Sequence, residues 1–97
     1  MELQLTLRFN IDDPASGTTR RFVKSVNVRM PHVPRIGEAV VIPGDTVGTN
    51  LGARRVEDVI YAPDGTVILD LRLDGLTNDV ESQVTVLRAG GFRELEK

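Results

Sequence analysis

Residues 2–11 alternate strictly between apolar and polar side chains, and this pattern constrains the fold more than any other feature of the chain. Successive side chains of a β-strand point to opposite faces of a sheet, so a period of two predicts a strand with one face buried and the other in water. The apolar positions of this strand are Leu3, Leu5, Leu7, Phe9 and Ile11.

Four further segments are predicted to be short strands. Val, Ile and Thr make up 26 of the 97 residues, and their branched side chains favour the extended backbone of a sheet. Turn residues, above all Pro and Gly, separate the segments. In the fourth strand Val56 is expected to face the core, and Ile60 is a second candidate for the same face. The predicted strands cover residues 19–30, 39–42, 53–62 and 66–73.

The second strand has two residues that break its alternation. Lys24 falls on the apolar face and Val23 on the polar face, and a β-bulge at residues 23–25 would explain both. The connection to the first strand, residues 12–17, is short, so the two strands are predicted to form an antiparallel hairpin.

The segment 79–89 fits a helix slightly better than a sixth strand, and both interpretations stay open. Val80, Val84 and Leu87 have helical spacing, whereas the β-branched residues around position 85 favour a strand. The glycines at 90 and 91, followed by Phe92, are typical of a helix end with a hydrophobic contact beyond it.

The ends of this segment carry two further expectations. Asn78, with Glu81 three residues later, has the form of a capping box and is predicted to begin the helix. Residues 93–97 are expected to fray.

These elements predict one mainly β domain spanning residues 1–97. Its architecture is expected to be a small antiparallel β-barrel or a rolled sheet of five to six strands, with one short C-terminal helix as an option. A chain of 97 residues can bury enough apolar surface for such a core without disulfides.

Composition excludes several classes of protein. The chain has no Cys, which rules out a disulfide framework and thiolate chemistry, and a single His, His32, which rules out a His-based metal cluster and most catalytic triads. No apolar run has the length of a membrane span, and residues 1–10 lack the blocks of a signal peptide. We therefore expect a soluble cytoplasmic protein that is not an enzyme and uses no metal or cofactor.

The charges are unevenly distributed. The net charge is −2, which argues against bulk binding to nucleic acid or to an anionic membrane. Residues 20–35 nevertheless carry five cations and no acid, whereas residues 36–70 carry six acids and two cations. A small surface can therefore be strongly cationic although the whole chain is not.

The arginines are the best candidates for a binding surface. Arg21 and Arg29 share the polar face of the second strand, and Arg8 lies on the polar face of its neighbour, so the three could form one cationic sheet surface. A glycine-containing loop at residues 44–52, next to Arg54 and Arg55, could add an anion cradle. A solvated face paired with nearby acids is the alternative interpretation. The candidate binding residues are Arg8, Arg20, Arg21, Arg29, Arg54 and Arg55.

Residues 37–59 are similar to the KOW motif of SH3-like small β-barrels. The shared features are Gly37 followed by an acid, a Val-rich strand, Gly44, a glycine-containing loop and a strand beginning near Val56. The resemblance implies a small barrel. It also implies contact with RNA through a basic loop, but the corresponding residues 45–51 have no Lys or Arg, so nucleic acid is not expected as a partner.

Two classes of function follow from these observations. The first is a non-enzymatic interaction module that binds a protein partner or a second copy of itself through a strand edge or the Arg-rich face. The second is a small β-barrel that binds an anionic ligand of the nucleotide type, or contacts RNA, through the same arginines.

Overall fold

The computed structural model describes residues 2–41, 53–72 and 79–95. They form a six-stranded sheet and one short helix, which confirms the mainly β class and the helical interpretation of residues 79–89. The elements are β1 (Glu2–Asp13), β2 (Thr18–Arg29), β3 (Ala39–Val41), β4 (Ala53–Tyr61), β5 (Val67–Leu71), α1 (Val80–Ala89) and β6 (Arg93–Glu94).

The strand order is β3-β4-β5-β1-β2-β6. The order begins and ends on different strands, so the sheet is not closed, and of the two predicted architectures the open, rolled sheet fits better. β1 and β2 form the predicted antiparallel hairpin, whereas β1 and β5 are parallel. This parallel pair lies in the centre of the sheet and joins strands that are far apart in the sequence.

β1 has the buried face that its alternating sequence predicts. Leu5, Leu7 and Phe9 are fully buried, and they share one core with apolar side chains of β2, β4, β5 and α1. Val84 and Leu87 of the helix belong to the same core. The core therefore lies between the sheet and α1, and we call the opposite side of the sheet the outer face.

The predicted bulge at residues 23–25 is wrong. Pairing between β1 and β2 is continuous from Glu2 opposite Arg29 to Asp13 opposite Thr18. Lys24 faces α1 because its ammonium group donates a hydrogen bond to the carbonyl oxygen of Gly90, at 2.8 Å, at the end of the helix. A cation is stabilised at a helix C-terminus, where the last carbonyls have no helical partner.

The bulge lies in β4 instead. Val56 pairs with Leu71 and Asp58 with Asp70, so Glu57 is an extra residue on this strand. The extra residue reverses the alternation: Val56 is buried as predicted, but Ile60 pairs with Ile68 on the outer face. The expectation that Ile60 shares the face of Val56 is therefore wrong.

Both ends of α1 are capped by local hydrogen bonds. Asp79, rather than the predicted Asn78, is the N-cap, and its carboxylate accepts from the amide of Ser82 at 3.0 Å. At the other end the amide of Phe92 donates to the carbonyl of Leu87 at 3.0 Å, while Gly91 has a φ of +89°. This is a Schellman motif, and it confirms the predicted helix end.

Fraying from residue 93 onwards is wrong for β6. Phe92 is buried, and its ring lies edge-on to that of Phe9 with 5.2 Å between the centroids. The buried ring holds the next residues against β2, where Arg93 pairs with Val23 and Glu94 with Phe22. β6 thus directly follows the helix cap, and the burial of Phe92 in the core holds it in place.

Replacing Phe92→Ala is expected to lower the free energy of unfolding by about 3–5 kcal/mol, the usual loss for a large buried ring. Urea unfolding followed by circular dichroism measures the change. Leu95→Ala, three residues on and 40% exposed, is the control and should cost well under about 1 kcal/mol. Equal losses for the two variants would show that Phe92 does not anchor β6.

Candidate functional site

Arg8 is bound within the sheet. On the outer face its Nε and Nη2 atoms donate to the two carboxylate oxygens of Asp70 at 2.5 and 2.9 Å. This bidentate bond raises the pKa of Arg8 above its ordinary value. Arg8 pairs with Asp70 in the β1–β5 register. Its guanidinium therefore links the two parallel strands, and its charge is balanced by the Asp70 carboxylate.

Arg20 lies on the other side of the sheet, facing α1. Its Nε and Nη2 atoms donate to the carboxylate oxygens of Glu94 at 2.9 and 2.8 Å, and this bond lowers the pKa of Glu94. Asp13 and Glu81 are also near, 4.0 and 3.7 Å from its Nη1 atom. The carboxylates around Arg20 therefore balance its charge.

Arg54 and Arg55 lie on β4, away from the other candidates. β5 and β1 separate β4 from β2, a distance of about 14 Å across the sheet. Arg55 donates from Nη1 to the carbonyl oxygen of Gly37 at 2.7 Å, and Arg54 is half-buried. The glycine-containing loop proposed to act with them, residues 44–52, lies outside the described residues.

Arg21 and Arg29 share the outer face of β2, as their spacing predicts. In the β1–β2 register Arg21 stands opposite Asn10, and Arg29 stands opposite Glu2. Both arginines are exposed. The six candidate arginines are thus distributed over both faces of the sheet and over β1, β2 and β4, and the structure does not bring all six together into one surface.

Beyond Val23, β2 is an edge strand. The amide of Leu95 donates to the carbonyl oxygen of Arg21 at 2.8 Å, so the odd-numbered residues of β2 direct their backbone groups away from β1. β6 pairs only with Phe22 and Val23. In the described part of the chain no strand lies beside residues 25–29, and we call this segment the β2 edge. Its outward backbone groups belong to Ser25, Asn27 and Arg29, which are all exposed.

Next to β6, at residues 18–21 of β2, four arginines line a groove of about 860 Å³. Arg88 of α1 lies near Glu94, with its Nη2 atom 3.3 Å from Oε1 of the carboxylate. Arg93 makes no ion pair with a described side chain. We call this feature the arginine groove. Its lining residues are Thr18, Thr19, Arg20, Arg21, Arg88, Phe92, Arg93, Glu94 and Leu95.

Sequence reasoning found Arg20 and Arg21 but missed Arg88 and Arg93. Residues 93–97 were expected to fray, which removed Arg93 from consideration. The useful signal was the glycine pair before Phe92: a helix that ends on a buried ring places the following residue at a defined position on the sheet.

His32 has an acidic neighbour that its sequence position does not reveal. Its Nε2 atom lies 3.3 Å from Oε1 of Glu38, and the same oxygen accepts from the amide of Arg35 at 2.6 Å. The backbone hydrogen bond from Arg35 lowers the pKa of Glu38, and His32 adds to the effect. These groups are exposed, and the hydrogen bonds fix the turn before β3.

The described residues form neither a metal site nor a membrane-spanning helix. No cluster of three or more His, Cys, Asp or Glu side chains has the arrangement of a metal site in residues 2–41, 53–72 and 79–95. The helix found in these ranges is too short and too polar to cross a bilayer.

Comparison with known proteins adds no relative: no family model matches the chain, and neither the curated proteins nor the solved structures contain a significant match. The similarity of residues 37–59 to the KOW motif therefore stays a prediction. The site has to be interpreted from its own geometry.

The ion pair between Arg20 and Glu94 predicts a specific acid sensitivity. Because the folded pKa of Glu94 is lowered, its contribution to stability is present above the unfolded value of about 4.3 and is lost as the pH falls through the folded value. Glu94→Gln is expected to lose less stability than the wild type between pH 7 and pH 3, measured by urea unfolding.

Glu57→Gln is the matched control, since the carboxylate of Glu57 is 64% exposed and 4.0 Å from Arg72. The free energy of unfolding of this variant should fall between pH 7 and pH 3 by the same amount as that of the wild type. Wild-type behaviour of Glu94→Gln would mean that its ion pair does not stabilise the fold.

Proposed function

We propose that this protein is a non-enzymatic interaction module that binds an extended acidic segment of a partner protein as an additional strand. The observation that carries the proposal is the β2 edge, where Ser25, Asn27 and Arg29 direct exposed backbone donors and acceptors away from the sheet. An extended peptide can pair with such an edge through main-chain hydrogen bonds.

The positive charge at the two ends of the β2 edge favours an acidic partner. Arg29 lies at one end of the edge, and Arg93 stands beside Val23 at the other. A side chain opposite Arg29 on an added strand would be a cross-strand neighbour on the outer face, where opposite charges stabilise pairing. Acids at alternate positions of the partner would all lie on the outer face, between Arg29 and Arg93.

The same charges disfavour a second copy of the chain as the occupant. Antiparallel pairing of two copies centred on Asn27 would place Arg29 of one copy opposite Ser25 of the other. Arg93, which is opposite Val23, would then lie about 7 Å further along the strand. At this separation salt screens like charges only in part. An acidic partner removes this repulsion.

The structure permits a test that separates backbone pairing from side-chain contact. Asn27→Pro removes the outward amide at the centre of the β2 edge but leaves the bonds to β1, which come from the even-numbered residues. Asn27→Ala keeps the amide and removes only the side chain. We expect the proline variant to bind a ten-residue peptide of alternating Glu and Thr at least about tenfold more weakly than the wild type.

Fluorescence anisotropy with a labelled peptide measures the affinities, and circular dichroism checks that both variants fold. The alanine variant should bind like the wild type, and a peptide of alternating Lys and Thr should bind to none of the proteins. Equal binding by the proline and alanine variants would contradict strand addition. A dimer in size-exclusion light scattering that Asn27→Pro dissociates would identify a second copy as the occupant instead.

A further inference from the structure

We propose that the arginine groove is a second, separate binding site, and that its ligand is a polyphosphate group. The groove shares Arg93 with the surroundings of the β2 edge, but Ser25, Asn27 and Arg29, which carry the strand pairing, do not line it. The groove lies at residues 18–21 of β2, whereas the β2 edge lies at residues 25–29, and β6 pairs with β2 between the two.

The groove has more cationic donors than its own acid can balance. Among the described residues, four arginines and one glutamate line it, and Glu94 receives two hydrogen bonds from Arg20. Arg88 is held loosely, with 3.3 Å to the same carboxylate and 61% of its side chain exposed. Arg21 and Arg93 are exposed and form no ion pair with an acidic side chain among the described residues. Arg21 and Arg93 thus remain for an incoming anion, and the loosely held Arg88 lies in the same groove.

Guanidinium groups from three different elements favour an anion with several charged groups. Arg21 belongs to β2, Arg88 to α1 and Arg93 to β6, and each planar guanidinium can form a two-pronged hydrogen bond with a phosphoryl group. A single phosphoryl group offers three terminal oxygens, whereas a chain of phosphates offers more oxygens over a greater length of the groove. The volume of about 860 Å³ is in the range of small-molecule sites.

The groove does not offer a platform for a nucleobase. Phe92, the aromatic side chain among the described residues that line the groove, is 3% exposed, because its ring packs against Phe9 in the core. Base recognition by stacking needs an accessible ring face. The ligand is therefore recognised through its phosphates, whether it is a nucleoside triphosphate or inorganic polyphosphate.

Calorimetric titration with tripolyphosphate, ATP, GTP and citrate tests whether the phosphate chain alone is recognised. We expect tripolyphosphate, ATP and GTP to bind with affinities within about threefold of one another, and each affinity to fall as salt is raised, since the attraction is electrostatic. Citrate, which carries three carboxylates, should bind at least about tenfold more weakly, because its groups cannot follow the groove as a phosphate chain does. Bound ligand should also raise the melting temperature.

The double variant Arg21→Ala with Arg93→Ala is the decisive protein. Both side chains are exposed, so the fold should be unchanged, while the affinity for tripolyphosphate should fall at least about tenfold. Arg29→Ala is the matched control: it removes an arginine from the same strand and face, but outside the groove. It should bind tripolyphosphate like the wild type.

Three results would overturn the proposal. One is the absence of binding by tripolyphosphate at millimolar concentration, and another is binding that the double variant retains. The third is equal affinity for citrate, which would show that the groove responds to charge alone. Each result can be obtained while the acidic peptide still binds the β2 edge, so the two proposals succeed or fail separately.

Discussion

The burial of one side of β1 between two neighbouring strands is the constraint on which the rest of the structure depends. Leu5, Leu7 and Phe9 are removed from water on the helix side, and pairing with β2 and β5 fixes the register on both sides. A shift by one residue would expose all three side chains. The same register places Arg8 beside Asp70 and, through β2, sets which backbone groups point to the open edge.

The local parts of this architecture were predictable, and the non-local parts were not. Alternation in β1 and the glycines after α1 act over a few residues, so the sequence displays them directly. The parallel contact of β1 with β5 and the pairing of Arg8 with Asp70 join residues 62 positions apart, and no local pattern reports them.

The wrong expectations about the bulge in β2 and about the face of Ile60 each have a physical cause. Lys24 suggested a bulge because a charged side chain on an apolar face looks out of place, yet the free carbonyl of Gly90 at the end of α1 gives the ammonium group a partner. Ile60 is a candidate for the core in the sequence because nothing there marks Glu57 as an extra residue. The bulge there changes the face of every residue that follows in β4.

The arginines illustrate how folding divides one residue type between structure and surface. Arg8 and Arg20 bind carboxylates from distant strands, and Arg55 binds a backbone carbonyl. Arg21, Arg29 and Arg93 are exposed on the outer face. Folding thus pairs Arg8 and Arg20 with carboxylates and leaves Arg21, Arg29 and Arg93 exposed along β2 and β6. Both proposed sites use these exposed arginines, one for an acidic strand and one for phosphates.

Amide hydrogen exchange along β2 tests the central claim most directly. Because odd-numbered residues of the β2 edge direct their amides away from β1, the account predicts alternating protection in the free protein. The amides of Ser25, Asn27 and Arg29 should exchange fast, whereas those of Lys24, Val26 and Val28 should be protected, and an acidic extended peptide should slow the first set alone. Uniform protection of residues 24–29 in the free protein would show that the edge is already covered and would contradict the account.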